Sequence, residues 1–246
     1  MKNNLPKQIT PDLILDVDRF LFEEASAKDS FIIDLILSKI DRDNMSICDI
    51  GGASGVILGE IIRRSSRKIN GSILDVIDYK NKFSNRYIDL KINFIHSSIL
   101  DSGISDNQFD IVTFRHVLHH LVGDTPNQSI KLQEQALCEM LRITKHNGYL
   151  IFEEEINQVK IFSRLVYYLS KIANRYTIRC KYFQAGICVV SFMNPTEIIS
   201  TINQISQRQP LEIQHLSYRP WPMSLRWKLT LLMARVGSFF LVVHKK

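Results

Sequence analysis

The chain has 246 residues, with 31 Lys+Arg against 25 Asp+Glu and a formal net charge of +6. A hydrophobic share of 45% suffices for a full core and excludes wholesale disorder; ten Gly and seven Pro exclude collagenous or low-complexity material. The charge is unevenly placed. Residues 1–155 hold 18 basic and 23 acidic side chains, a net of −5; residues 156–246 hold 13 basic and two acidic ones (Glu197, Glu212), a net of +11.

The length suits one α/β domain with insertions. The four cysteines (48, 138, 180 and 188) fit no zinc spacing and no dense disulfide framework, so reduced thiols and a cytoplasmic location are expected. The N-terminus MKNNLPKQITPD lacks the apolar core of a signal peptide. The longest apolar stretch, 229–243, is broken by Arg235 and by Gly237-Ser238. It falls short of the roughly 18 apolar residues needed to span a bilayer, so no transmembrane segment is expected.

In chain order, helical spacing of apolar residues runs from Phe20 to Ile40. A short apolar run, Ser46–Ile50, ends in Gly51-Gly52 and reads as a buried strand. Val56–Arg64 reads as a helix with basic residues in its last turn, as the helix dipole prefers. Strands follow at Ser72–Ile77, Ile92–His96 and Phe109–Phe114. Pro126 and Asn127–Ser129 open a helix that runs to about Thr144, and His146-Asn147-Gly148 leads into a fifth strand, Tyr149–Phe152.

Strands alternating with helices at this spacing predict a parallel, doubly wound sheet with ligand outside the carboxyl ends of its strands. After Glu155 the rhythm changes. Val159 to about Ile178 is helical, aromatic and basic. Asn194-Pro195-Thr196-Glu197 starts a helix with Pro in the first turn. Leu211–Leu216 alternates as a strand, Met223–Val236 is an amphipathic basic helix, and Phe239–His244 closes the sheet.

The densest chemical signal is Ile47-Cys48-Asp49-Ile50-Gly51-Gly52-Ala53-Ser54-Gly55. A buried strand ends in an acid, and a Gly-rich turn then enters a helix. Such a turn admits a ligand close to the backbone, and the helix N-terminus offers free N–H groups. The G-x-G-x-x-G register of dinucleotide sites fails, because Ala53 and Val56 occupy its second and third glycine positions.

With these residues the sequence resembles the class I S-adenosylmethionine-dependent methyltransferases. Phe109-Asp110-Ile111-Val112 is similar to that family's fourth-strand motif, and Val117-Leu118-His119-His120-Leu121 to the segment that often follows. Residues 139–150 are similar to its helix, turn and fifth strand, with His146-Asn147 where Pro-Gly is more usual. The resemblance covers roughly residues 45–155.

It implies an α/β fold: a Rossmann-like seven-stranded, mostly parallel sheet with helices on both faces and an antiparallel last strand. One domain is expected, with lid helices at 1–44, the cofactor-binding core at 45–155, a helical cap insertion at 156–193, and completion of the sheet by 194–246.

The resemblance also implies roles. S-adenosylmethionine is the expected cofactor, its methionine part over the loop with Gly51, Gly52 and Gly55. Asp49 would hold that loop and reach the cofactor's ammonium group. An acid ending the second strand would accept from both ribose hydroxyls, as two-oxygen carboxylates can. Asp75 is preferred because it directly follows the apolar run; Asp78 is the alternative and could instead cap a helix.

Val76 would pack on the adenine. Ser98 stands where the family commonly has an acid for the adenine amino group, so the contact would be weaker or fall to the backbone around Ile99, with Asp101 in reserve. Arg115 and His116 would line the sulfonium end. His119 and His120 are the candidates for a catalytic base, since imidazoles exchange protons near neutral pH.

The i, i+3, i+4 spacing of His116, His119 and His120 would suit a metal on a helix, but no HExxH pattern accompanies it and no metal site is expected. Glu153-Glu154-Glu155 would end the fifth strand at the pocket rim, with at least one of them facing solvent. Phe114-Arg115-His116 stands where nucleic-acid methyltransferases carry an Asn/Asp-Pro-Pro-aromatic motif, which favours a small-molecule acceptor.

The expected reaction is therefore methyl transfer to a secondary metabolite or a lipid-like or aromatic compound. The +11 back half points to an anionic or carrier-protein-bound substrate. The alternatives are an RNA methyltransferase, because basic grooves with aromatics bind single strands, and a non-catalytic cofactor-binding relative acting in an assembly. Met223–Val236 also resembles a membrane-surface helix.

Overall fold

Among the described residues seven strands form one sheet in the order β3-β2-β1-β4-β5-β7-β6. The computed structural model describes residues 30–78, 88–176, 188–222 and 235–246. The strands are β1 (Met45–Ile50), β2 (Ile69–Asp75), β3 (Asn93–His96), β4 (Phe109–Arg115), β5 (Thr144–Asn157), β6 (Leu211–Pro220) and β7 (Val236–Lys245). Pairings are parallel from β3 through β5; β7 runs antiparallel to both β5 and β6. This is the expected mostly parallel sheet with a reversed last strand.

The period-two alternation of each strand builds two cores. Cys48, Ile50, Leu74, Val112, Phe114, Leu150 and Phe152 face α3 (Pro126–Ile143) and α5 (Pro195–Ser206). Ile47, Ile73, Ile111, Ile151, Phe240 and Val242 face α1 (Phe31–Leu37) and α2 (Val56–Arg64). Another helix, α4 (Lys160–Arg175), follows β5. Continuous apolar strands such as Ser46–Ile50 are what a sheet covered on both faces requires.

Helix starts obey local chemistry. Thr125 and Gln128 cap α3 reciprocally, and Asn194 and Glu197 do the same for α5; each helix has Pro in its first turn. Asp110, part of the fourth-strand motif, lies at the amino end of β4. It accepts from Ser46 N (2.8 Å) and Lys145 Nζ (2.9 Å), so its work is to tie β1, β4 and β5 together.

The structure lengthens several elements. β2 begins at Ile69 rather than Ser72, and β5 extends from Thr144 to Asn157 because its antiparallel partner β7 matches it along the way, from Gly148↔Lys245 to Asn157↔Val236. The expected helix at 223–236 and the lid up to Asp29 fall largely outside the described residues, and Val236 belongs to β7. Among the described residues no helix is long and apolar enough to cross a membrane.

Candidate active site

The chain runs from β1 outward through β2 and β3, and from β4 in the opposite direction, so the connections leaving β1 and β4 diverge. The crevice between such connections is where doubly wound sheets bind ligands. Strand alternation then fixes what lines it. Beyond Ile47, Ile73, Ile111 and Ile151, the next positions on the same face are Asp49, Asp75, Thr113 and Glu153, followed by Arg115 and Glu155. Register sets Asp49 opposite Thr113 and Arg115 opposite Glu153. A polar row therefore crosses the carboxyl edge of four neighbouring strands.

The loop after β1 sits directly on Asp49. A Cβ at Gly52 would lie 2.7 Å from Asp49 Oδ2, and one at Gly51 would lie 2.7 Å from Val117 Cγ2. Gly51 is also left-handed, with φ of 68°, a conformation that glycine adopts without steric cost. Its N–H donates to Leu74 O at 2.7 Å, which binds the loop to β2. Ala53 is left-handed too (φ 43°), an arrangement costing about 1–2 kcal/mol in a residue with a Cβ. Its N–H donates to Asp75 Oδ2 at 3.2 Å.

Asp49 is buried, and its Oδ2 has no hydrogen-bond partner among the described residues; the same holds for Thr113 Oγ1. Burial, followed by the charge of Asp75, pushes the Asp49 carboxyl up to about 7, against the pull of Arg115. A buried carboxylate with an open oxygen, beside two glycines that carry no side chain, suits a cationic ligand group. Asp75 is raised as well, by burial, which outweighs the backbone N–H groups of Ile77, Ala53 and Val76 and the charge of His96. Its Oδ1 accepts from Ile77 N at 2.9 Å, and the two oxygens together offer about four acceptor positions, so these backbone donors leave capacity for another.

Other expected positions fall around this row. Val76 is exposed just past β2. The Ser98 hydroxyl accepts from Leu100 N at 3.2 Å, and the Ile99 side chain is buried in the core, which leaves backbone rather than side chain for any ligand contact by Ile99. Asp78 lies beyond the end of β2, whereas Asp75 ends the strand. Arg115 Nε is 2.9 Å from Glu153 Oε2, and His116 lies between Glu153 and Glu155 at 3.8 and 3.7 Å.

His119 and His120 belong to a 3-10 turn, Leu118–His120, with ring centroids 4.1 Å apart. His119 is buried, with Nδ1 2.6 Å from Glu154 Oε1; Glu154 Oε2 accepts from Leu118 N at 2.6 Å. A carboxylate can only accept, so Nδ1 carries the proton and Nε2 is the basic position of the neutral ring. Gln133 Nε2 donates to Leu118 O and to Ser191 O, and Ser191 N donates to His119 O, which locks the turn against α3.

The structure corrects the reading of the three glutamates. β5 continues to Asn157, so none of them ends the strand, and none is exposed: Glu153 and Glu154 are buried and Glu155 is half-buried. Burial is the leading cause that raises the Glu155 carboxyl. Glu154→Ala is expected to cost about 3 kcal/mol in denaturant unfolding, because it strands Leu118 N and His119. A loss below 1 kcal/mol would show that solvent replaces the carboxylate.

Thr113 escaped the reading of motifs, and Glu153 and Glu154 were named only as residues of the pocket rim. Alternation from Ile111 and Ile151 was the signal that could have placed Thr113 and Glu153, and alternation from Phe152 the one for Glu154. The histidine spacing that would suit a metal on an α-helix is not realised on one: His116 is left-handed (φ 57°) and only the next turn is helical. Among the described residues no group of three or more His, Cys, Asp or Glu is arranged to hold a metal ion.

Residues 49–152 match the family model of a methyltransferase domain. The matched segment runs from β1 into β5 and carries Asp49, Asp75, Thr113 and Arg115 of the polar row. Similar solved structures include a geranyl diphosphate methyltransferase in complex with S-adenosylmethionine. It is 12% identical with a TM-score of 0.61, over 95% of this chain and 89% of that one.

Magnesium protoporphyrin IX methyltransferase from Synechocystis PCC 6803, with S-adenosylhomocysteine bound, is 9% identical with a TM-score of 0.57, over 92% and 84%. The cyclase SpnF is 12% identical with a TM-score of 0.58, over 87% and 79%. A search of curated proteins gives no significant match.

Proposed function

We propose that the protein transfers a methyl group from S-adenosylmethionine to a small-molecule acceptor, and that the polar row at the carboxyl edge holds the cofactor. One observation carries this reading: the buried, unpartnered Asp49 oxygen under the Gly51–Gly55 loop, with Asp75 next to it on the neighbouring strand. When bound, S-adenosylmethionine supplies a methyl group on a sulfonium, whose leaving group is a neutral thioether.

The chain's residues bind and orient. Asp49 offers its carboxylate to the ammonium group, Asp75 accepts from the ribose hydroxyls, and Val76 covers the adenine, with Ser98 and the Ile99 backbone beside it. Arg115, held by Glu153, borders the transfer end. In-line displacement needs mainly alignment and exclusion of water. Where the acceptor must lose a proton, His119 takes it at Nε2 with Glu154 fixing the ring, or His120 does so from the partly exposed side of the pair.

The small-molecule acceptor is supported by Phe114-Arg115-His116 after β4, in place of a nucleic-acid type motif, and by relatives named for geranyl diphosphate and magnesium protoporphyrin IX. Release of S-adenosylhomocysteine tests it. With panels of isoprenoid, phenolic and carboxylic acceptors, turnover is expected for one class and none with total RNA. Turnover on RNA alone would overturn the small-molecule reading. For a proton-losing acceptor, His119→Ala or His120→Ala is expected to lower kcat by about 10²–10⁴. Unchanged kcat in both variants would remove the base.

A further inference from the structure

Helix α4 is turned inside out. Its inner face is polar: Ser163, Tyr167 and Ser170 are buried. Tyr167 OH donates to Gly123 O at 2.9 Å, Ser170 Oγ accepts from Val190 N at 3.2 Å, and Lys171 Nζ donates to Asp124 O at 2.9 Å. Its outer face is apolar. Ile161, Leu165, Tyr168, Leu169 and Ile172, with Tyr176 at the C-cap, are all exposed, Ile161 by 70% and Ile172 by 51%. They recur every three or four positions and form one stripe.

Lys160, Arg164, Lys171 and Arg175, spaced by four, seven and four positions, lie along one flank of that stripe. Hydrogen bonds secure the helix on its polar side, so core formation does not explain the apolar residues. Exposed apolar patches bordered by charge mark docking surfaces.

We infer that α4 lies on an anionic membrane surface, with the apolar stripe in the acyl boundary and the basic flank on the headgroups. Charge decides between occupants. No acid occurs between Glu155 and Glu197, and among these four cations only Lys160 meets a carboxylate in the described residues (Glu197, 3.0 Å). A second copy of the chain would bring an equally cationic flank against this one; an anionic bilayer neutralises it, and each basic residue near such a surface strengthens binding. The exposed Tyr168 and Tyr176 are residues suited to the interface, with an apolar ring and a polar tip.

Placement links this surface to function. α4 leaves the carboxyl end of β5 and is bonded to residues 123 and 124, which follow β4. Docking would therefore turn the ligand edge of the sheet towards the bilayer and favour a lipid-dissolved acceptor. That last step rests on the methyltransferase reading; docking itself does not, and it is measured without turnover.

The experiment is co-sedimentation of the full chain with phosphatidylcholine vesicles and with phosphatidylcholine–phosphatidylglycerol vesicles. Binding is expected to the mixed vesicles only and to weaken with salt. It should fall about tenfold or more in Leu169→Glu/Ile172→Glu and in Arg164→Glu/Arg175→Glu. Both pairs are on the surface, and circular dichroism checks that each variant is folded. Failure of the parent to bind, equal binding to both vesicles, or indifference to both variants would overturn the proposal. So would a dimer in light scattering that Leu169→Glu/Ile172→Glu dissociates while vesicles are ignored.

Discussion

Asp75→Ala is expected to weaken S-adenosylmethionine binding by about a hundredfold or more. Two contributions add. A hydrogen bond to a charged group is worth about 1.5–3 kcal/mol, and two ribose hydroxyls would lose one such acceptor. The Ala53 N–H, 3.2 Å from Asp75 Oδ2, also loses the contact that holds a left-handed alanine in the binding loop. Calorimetry reads the loss directly. Asp75→Asn keeps one acceptor oxygen and is expected to fall between parent and Ala. Affinity unchanged in Asp75→Ala, with Asp78→Ala defective instead, would move the ribose contact to the alternative acid.

Asp49→Asn is expected to stabilise the ligand-free protein while impairing cofactor binding. The sign follows from linkage. Burial raises the folded-state carboxyl to about 7, above the unfolded value near 3.9, so the folded protein holds a proton that the unfolded chain releases between those values. Stability of the free protein therefore falls as pH rises from about 4 to about 7, and levels off above that.

The penalty approaches about 4 kcal/mol, from roughly three pKa units at 1.36 kcal/mol each. Asp49→Asn removes it. At pH 8 the free variant should melt several degrees above the parent, and near pH 4 the two should coincide. A cationic ammonium group beside Asp49 reverses the balance, so the cofactor-induced rise in Tm should be larger in the parent, most of all at pH 8. Equal melting profiles from pH 4 to 8 would show that Asp49 is not held in this way.

The same fold carries a cyclase, SpnF, as well as the two methyltransferases. Sheet order alone therefore does not select a reaction. At this chain's carboxyl edge stand a carboxylate with no partner on one oxygen among the described residues, Gly51 and Gly52 beside it, and an imidazole oriented by a glutamate.

Much of this was legible in the chain. The run Ile47–Gly55 identified the end of β1 and the turn into α2, because a mainly apolar strand meeting glycines has few structural solutions. Val56–Arg64 matches α2 at both ends, since its periodicity and terminal basic residues are local properties. Asn194-Pro195 opened α5 as expected, through a cap that spans only four residues.

The glutamates were misplaced because the length of β5 depends on β7, some eighty residues away, and no local signal carries that pairing. The motif acid Asp110 was legible as a motif and not as a role. Only the neighbours Ser46 and Lys145 show that it fastens strands at the amino end of β4.

The uneven charge divides in the same way. The sequence by itself determined that residues 156–246 are basic and aromatic, since composition needs no partner. It could not decide which way those residues face, because an amphipathic helix presents the same pattern whichever side meets the body. The tertiary structure decided it for α4. The hydroxyls of Ser163, Tyr167 and Ser170 are turned inward, two of them tied to the backbone at Gly123 and Val190, and the apolar side is left outward beside its cations. Likewise, sequence named Asp49, while only packing buried its carboxyl, raised its pKa and left Oδ2 without a donor among the described residues, because burial depends on neighbours distant in the chain.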